Sequence, residues 1–310
     1  MINSICAVPG IKVGHAQNKV PQTGCTVILP EKPVIAGIDV RGAAPGTRET
    51  ELLAPHRTVQ EIHAIVLTGG SAFGLDSAGG VVKFLEEKGI GYDTGTARVP
   101  IVPAAVIYDL AVGSSKIRPG KEMGYNAAKK ATPNNSDQGL IGAGSGATVG
   151  KFAGIDFAMR GGVGTCAEKI ENRIYVGVLV IVNSLGNVID PMTGRTIAGA
   201  KNPQGGFIDP ILFLKKPQHM SFSRLTNTTL AVVATNARLS KSELTELAQL
   251  ATAGITRATL PAHTPYDGDV VFALSAGEEL KIDLIRIGAV AAELVSKAIV
   301  NAVHISNPIK

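Results

Sequence analysis

Thr226-Asn227-Thr228-Thr229-Leu230-Ala231-Val232-Val233-Ala234-Thr235-Asn236 is a polar mouth opening into an apolar, β-branched run. The polar cluster starts at Arg224, and from Leu230 the composition is that of a buried strand. Asn and Thr are common loop residues, so the stretch reads first as a loop feeding a core strand. A second reading is chemical. If the Asn227–Thr228 bond is cut, Thr228 becomes a new N-terminus. A threonine hydroxyl is a poor nucleophile at neutral pH, but a freed α-amine, with a reference pKa of about 8, can take its proton. Before cleavage the same hydroxyl could attack the preceding carbonyl, so one residue would serve both maturation and turnover.

The rest of the chain bounds these readings. At 310 residues, with 45% apolar and 18% charged side chains, it has material for a substantial core. Trp is absent and aromatics make up only 4%, so that core is aliphatic. The net charge of +5 is scattered, with Lys129-Lys130 and Lys215-Lys216 its densest groups. A solvated surface is expected, not a nucleic-acid footprint. Cys6, Cys25 and Cys166 have no paired spacing, and the six His residues form no HExxH-like pair, so neither a disulfide framework nor a metal site is expected. Met1 to Ser4 lacks the features of a signal peptide, and the apolar run Tyr175 to Val182 is far too short to span a bilayer. A cytoplasmic protein without membrane or nucleic-acid partners is expected.

Short apolar runs at Val13 to His15, Cys25 to Leu29 and Val34 to Val40 read as strands, followed by a polar Gly/Pro-bearing loop from Arg41 to Thr50. Ile62 to Leu67 reads as a strand, and Thr68 to Gly74 as a turn. A helix then runs to about Lys88 with Phe73, Val81, Val82, Phe84 and Leu85 as its apolar residues. That context invites a dinucleotide site, but GxGxxG is not met and no acidic residue follows at the right distance. Gly142 to Lys151 resembles a phosphate loop, yet Ser145 and Phe152 stand where a Walker motif needs Gly and Ser or Thr. Lys151 then has two readings: a surface lysine, or one beside backbone N–H groups that face a ligand.

Residues 157–190 read as antiparallel strands about a turn at Glu171-Asn172-Arg173. Tyr175 to Val182 is apolar on both parities and so central, and Asn183 at its end is either a turn-former or an inward hydrogen-bond donor. Asn187 to Gln218 reads as exposed and irregular. Ser240-Lys241-Ser242-Glu243 is a capping box opening a helix that buries Leu244, Leu247, Ala248 and Ala251. Asp267-Gly268-Asp269 precedes a strand at Val270 to Leu274, and a last helix spans about Lys281 to Val303, with Leu284, Ile287, Ala291, Leu294 and Ala298 inward. Two carboxylates at i and i+2 on extended chain point the same way, so one pKa rises unless a cation sits nearby.

The motifs Val13-Gly14-His15, Thr23 to Thr26, Arg41-Gly42 with Pro45 to Thr50, Leu67 to Asp76 and Gly144 to Lys151 together resemble the DmpA-like L-aminopeptidase/D-esterase family of self-processing hydrolases. That family includes β-peptidyl aminopeptidases and 6-aminohexanoate-oligomer (nylon oligomer) hydrolases. The resemblance implies an α/β fold, a four-layer αββα sandwich of the N-terminal-nucleophile type shared with ornithine acetyltransferases. It implies one domain, residues 1–310, self-cleaved into 1–227 and 228–310. Thr228 is then the nucleophile, Asp267 and Asp269 its polar partners, Asn183 the oxyanion-stabilising amide, Lys151 a pocket lysine and Tyr108 a pocket tyrosine. No cofactor is implied. Threonine at 228 and the Asp pair resemble the nylon-oligomer hydrolases, which implies linear amide oligomers as substrates. Aminopeptidase action on peptides, acyl transfer and an uncleaved small-ligand binding module are the alternatives. Family members assemble as homo-oligomers, often tetramers.

Overall fold

The computed structural model describes residues 3–20, 22–170, 173–216, 227–280 and 282–308, with backbone alone at 278–280. The Glu171-Asn172 turn, residues 217–226 and Lys281 lie outside the described residues. The strands of the two main sheets are β1 (Ile11–Asn18), β2 (Thr23–Pro30), β3 (Val34–Val40), β4 (Thr47–Arg48), β5 (Glu61–Ile62), β6 (Ile65–Thr68), β7 (Ala104–Val106), β8 (Gly162–Ile170), β9 (Ile174–Asn183), β10 (Thr228–Ala237) and β11 (Val270–Leu280). The five-stranded sheet has the order β1-β2-β6-β7-β4, and the six-stranded sheet β8-β9-β10-β11-β3-β5.

Alternation along these strands separates three apolar layers. Val13, Ile28, Ile65 and Leu67 from the first sheet meet Leu179, Ile181, Leu230, Val232 and Phe272 from the second, with all nine essentially inaccessible. The outer face of the first sheet packs Val27 and Val66 on helices α1 (Ser77–Glu86) and α2 (Lys121–Lys129). The outer face of the second packs Val178, Val180, Ala231 and Val233 on α4 (Lys241–Ala258) and α5 (Leu284–Ser306), the short α3 (Pro210–Lys215) coming earlier in the chain. This is the four-layer αββα sandwich. Each fully buried aliphatic side chain contributes roughly 1.5–3 kcal/mol, which offsets the low aromatic content.

The α4 capping box forms as read: the Ser240 hydroxyl accepts from the Glu243 N–H, and the Glu243 carboxylate accepts from the Ser240 N–H at 2.7 Å. Other expectations need correction. The single strand at 62–67 is divided, with Ile62 in one sheet and Ile65–Thr68 in the other, because the chain crosses between layers at His63-Ala64. Phe73 is not a core residue of a helix. It lies in a 3-10 turn before α1, exposed, with the Arg118 guanidinium 3.7 Å from its ring centroid. The Asn187–Gln218 stretch is not simply exposed coil. Asn187–Ile189 and Thr196–Ala198 form a ladder, and Asn187, Val188, Ala198 and Ala200 are buried. No helix among the described residues is long and apolar enough to cross a membrane.

Candidate active site

Strand direction gathers the site. β9 and β10 are antiparallel, with Asn183 opposite Thr228, so the end of one meets the start of the other. β10 and β11 are parallel, Leu230 beside Val270, so their starts coincide. Asn183, Thr228 and Asp269 therefore share one end of the central sheet. The parallel pairing continues one step outward as a bridge between Asn227 and Asp267.

That bridge fixes the Asn227–Thr228 peptide. Asn227 donates its N–H to the Tyr266 carbonyl at 3.0 Å, and its own carbonyl oxygen accepts from the Gly268 N–H at 2.7 Å. The Thr228 hydroxyl donates to the same oxygen at 2.5 Å. Asn227 is inaccessible and Thr228 only 4% exposed, so the bond is shielded from bulk water.

Both carboxylates are buried beside it. Asp269 accepts the Thr229 N–H at 2.5 Å through Oδ1. Its Oδ2 accepts from the His263 backbone N–H at 3.2 Å and lies 2.8 Å from His263 Nδ1. Asp267 accepts from the Thr264 N–H at 2.9 Å and the Thr264 hydroxyl at 2.5 Å through Oδ2, and from the Leu185 N–H at 3.4 Å through Oδ1. Burial, then the neighbouring Asp269 charge, push Asp267 above the usual carboxylate range. The Arg41–Thr50 loop closes against this pair: Arg41 and Ala44 donate their N–H groups to the carbonyls of Asp269 and Asp267, both at 3.0 Å. A Cβ on Gly42 would lie 2.0 Å from the Asp267 carbonyl oxygen, so the approach needs glycine.

Lys151 is buried, not a surface lysine, and its backbone does not face a ligand. The N–H groups of Gly150 and Lys151 are taken by the Gly186 and Leu185 carbonyls at 2.9 and 2.8 Å. The side chain does the work instead, donating to the Asn183 main-chain oxygen at 2.8 Å and to its Oδ1 at 2.9 Å. Burial pushes the amine down to about 7, opposed by Asp267, Asp109 and Asp269 in that order. Two donors on Asn183 Oδ1, Lys151 and the Thr148 N–H at 3.0 Å, fix the orientation of the amide. Its Nδ2 then faces the Tyr108 carbonyl at 3.2 Å, leaving the second N–H of that group for another acceptor.

Tyr108 thus joins the cluster through its main chain, and its half-buried side chain makes no hydrogen bond among the described residues. The next residue, Asp109, is buried and locked by the Thr23 hydroxyl and the Gly70 N–H, both at 2.7 Å, with its pKa raised by burial. Asp109, His263, Thr264 and Gly268 were not singled out by sequence reading. Only Gly268, between two candidate acids, carried any local signal; the others have no diagnostic spacing.

The profile of peptidase family S58 matches residues 3–310. An uncharacterized aminopeptidase of Mycobacterium tuberculosis is 38% identical over 340 residues, covering 99% of this chain and 95% of that protein. A 6-aminohexanoate-oligomer endohydrolase of Kocuria sp. is 30% identical over 310 residues, covering 95% of this chain and 84% of that one. Among solved structures, a Burkholderia sp. β-aminopeptidase superposes with a TM-score of 0.74 at 20% identity, over 97% of this chain and 86% of that one. The L-aminopeptidase D-Ala-esterase/amidase from Ochrobactrum anthropi, a variant of the Ntn hydrolase fold, gives 0.74 at 20%, over 97% and 85%. At that identity the two solved structures speak for the fold alone.

Proposed function

This chain belongs to peptidase family S58, a family of amide-bond hydrolases, and we propose that it is a self-processing member whose nucleophile is Thr228. The observation that carries the reading is the scissile carbonyl. The Thr228 hydroxyl and the Gly268 N–H both meet the Asn227 carbonyl oxygen, at 2.5 and 2.7 Å, in a site closed to water. Attack of Thr228 Oγ1 on the Asn227 carbonyl carbon forms a five-membered ring. The Gly268 N–H stabilises the developing oxyanion, a contact of a kind contributing about 3 kcal/mol. Breaking the C–N bond, with a proton delivered to the leaving amine, gives an ester. Water then releases the Asn227 carboxylate and frees the Thr228 hydroxyl, the α-amine having been freed when the C–N bond broke.

Turnover repeats the chemistry with a substrate amide in the place of Asn227. The α-amine takes the hydroxyl proton and passes it to the substrate's leaving amine as the C–N bond breaks, an acyl-enzyme forms on Thr228, and water then releases the acid. Asn183 offers its remaining N–H to the oxyanion. Lys151, near half-ionised at neutral pH, can exchange protons with the acids around it. The products, residues 1–227 and 228–310, stay together because β10 and β11 of the second sit between β9 and β3 of the first. Assembly as a homo-oligomer, a tetramer by family resemblance, belongs to the same proposal.

Thr228 with the Asp267 and Asp269 pair supports linear amide oligomers of the 6-aminohexanoate type as substrates. A second reading, removal of N-terminal residues from peptides, is supported by the higher identity to the mycobacterial aminopeptidase than to the oligomer hydrolase. Parallel assays of a 6-aminohexanoate oligomer and of small aminoacyl anilides separate the two. The nucleophile is tested by intact mass under denaturing conditions on wild type and Thr228→Ala. Two wild-type species divided after Asn227, a whole variant, and turnover lower by on the order of 10⁴-fold or more are expected. A wild-type chain that stays whole on prolonged incubation sinks the proposal.

A further inference from the structure

His263 lies outside the residues used above, yet it touches one of them twice. Its backbone N–H and its Nδ1 both converge on Asp269 Oδ2, at 3.2 and 2.8 Å. It does this from a left-handed backbone, φ 54°, uncommon outside glycine and, when seen, enriched in Asn, Asp and His. The imidazole is largely covered, and its Nε2 is buried without a hydrogen-bond partner among the described residues. An Nδ1 this close to a carboxylate oxygen carries the shared proton, so the ring spends its one certain hydrogen bond on Asp269.

The geometry points to His263 as a positioning residue for Asp269, in self-cleavage and in turnover alike, a role that rests on the Thr228 reading. Without the imidazole, the Asp269 carboxylate keeps the Thr229 N–H on Oδ1 at 2.5 Å but only the longer His263 N–H contact, at 3.2 Å, on Oδ2. A second anchor on Oδ2 fixes its plane beside the residue that carries the nucleophile. The next residue makes the matching assignment. Thr264 gives its N–H and hydroxyl to Asp267, so each of the two neighbouring acids has its own holder. Left-handed backbone at 263 brings both of that residue's donors to the same oxygen, which a β-branched residue could not do without strain.

The test compares wild type, His263→Asn, His263→Gly and Thr228→Ala for cleavage rate by intact mass and for kcat and KM on a neutral amide. Asn keeps a short side-chain donor and tolerates the left-handed backbone, whereas Gly keeps the backbone and its N–H and deletes only the side-chain donor. Asn is expected within about threefold of wild type, and Gly lower in kcat by on the order of tenfold to a hundredfold with KM nearly unchanged. Added imidazole should restore part of the Gly rate. Circular dichroism checks that each variant folds, and the Asn variant, which keeps both the backbone conformation and a side-chain donor, controls for any loss of fold. A Gly variant working at the wild-type rate, or an Asn variant as slow as Gly, overturns the role of His263 while leaving Thr228 in place. A Thr228→Ala chain that cleaves and turns over normally overturns the nucleophile, and this role with it.

Discussion

Two buried lysines, Lys151 and Lys241, have nearly equal exposure, 3% and 4%, and opposite surroundings. Lys241 opens α4 and donates to three main-chain carbonyls, Leu52 and Val59 at 2.8 Å and Arg57 at 3.2 Å. Burial alone lowers its pKa. Lys151 donates to Asn183 only, and the charges that oppose its desolvation are three carboxylates that can themselves take or lose protons. A buried cation caged by carbonyls has nothing to exchange with and acts as a staple. One surrounded by buried acids is part of a titrating network. Burial is common to both, so it does not mark function; the chemistry of the neighbours does.

The comparison is sharpest in replacements by methionine, which keeps length and removes the amine. Lys151→Met should lower turnover by on the order of 10²–10⁴-fold while the chain folds normally. Set against the loss of two donors to buried Asn183, its stability relative to wild type should show a definite pH dependence. The amine is depressed in the folded state, so the cost of burying its charged form is complete below about pH 7 and relieved as pH rises toward the unfolded value. The gain from Lys151→Met is therefore largest below pH 7. Denaturant titrations at several pH values check this, and a variant that loses stability most at low pH would reverse the sign.

Lys241→Met should do the opposite. Three carbonyls lose their donor, and the tie between the 52–59 loop and α4, which lie on either side of the proposed cleavage point, is cut. A loss of about 1–3 kcal/mol is expected, with turnover per folded molecule close to wild type. Equal activity losses in the two variants would break the contrast.

The smallest effect concerns the network itself. Asp267 is the largest charge propping up the Lys151 proton, followed by Asp109. Asp267→Asn should move the lysine midpoint below about 7, and Asp109→Asn should move it the same way by less. Lysine NMR titrations in the Thr228→Ala background measure this directly. An upward shift in either variant would show that the acids do not set the amine.

Much of this was legible along the chain because it is local. Tyr175 to Val182 is apolar on both parities and is a central strand; the Ser240 and Glu243 spacing is a capping box and caps α4. The candidate residues Thr228, Asn183, Lys151, Asp267 and Asp269 converge at one end of the sheet, and Tyr108 joins by its carbonyl rather than its ring. What was misread depended on distant packing. Ile62 to Leu67 has one continuous strand-like pattern, but its halves pair with strands of different sheets. Asn187 to Ala200 is rich in turn residues yet buried, since the Asn187 side chain satisfies the Ala200 N–H at 2.8 Å and the Ile208 carbonyl at 3.0 Å. His263 and Thr264 had no signal, because a single His before a turn has no diagnostic spacing.

By itself, the order of residues determined most of the strands and helices, where α4 is capped, and that an Asn-Thr bond stands at the mouth of a core strand. Periodicity and capping act over a few residues, so neighbours in sequence suffice. Tertiary structure alone decided that Lys151 is buried and poised near 7, that the Asn183 amide turns its nitrogen toward Tyr108, and that His263 grips Asp269. A pKa and an amide orientation are set by desolvation and by hydrogen-bond partners, and at this site those partners arrive from segments that only the pairing of strands brings together.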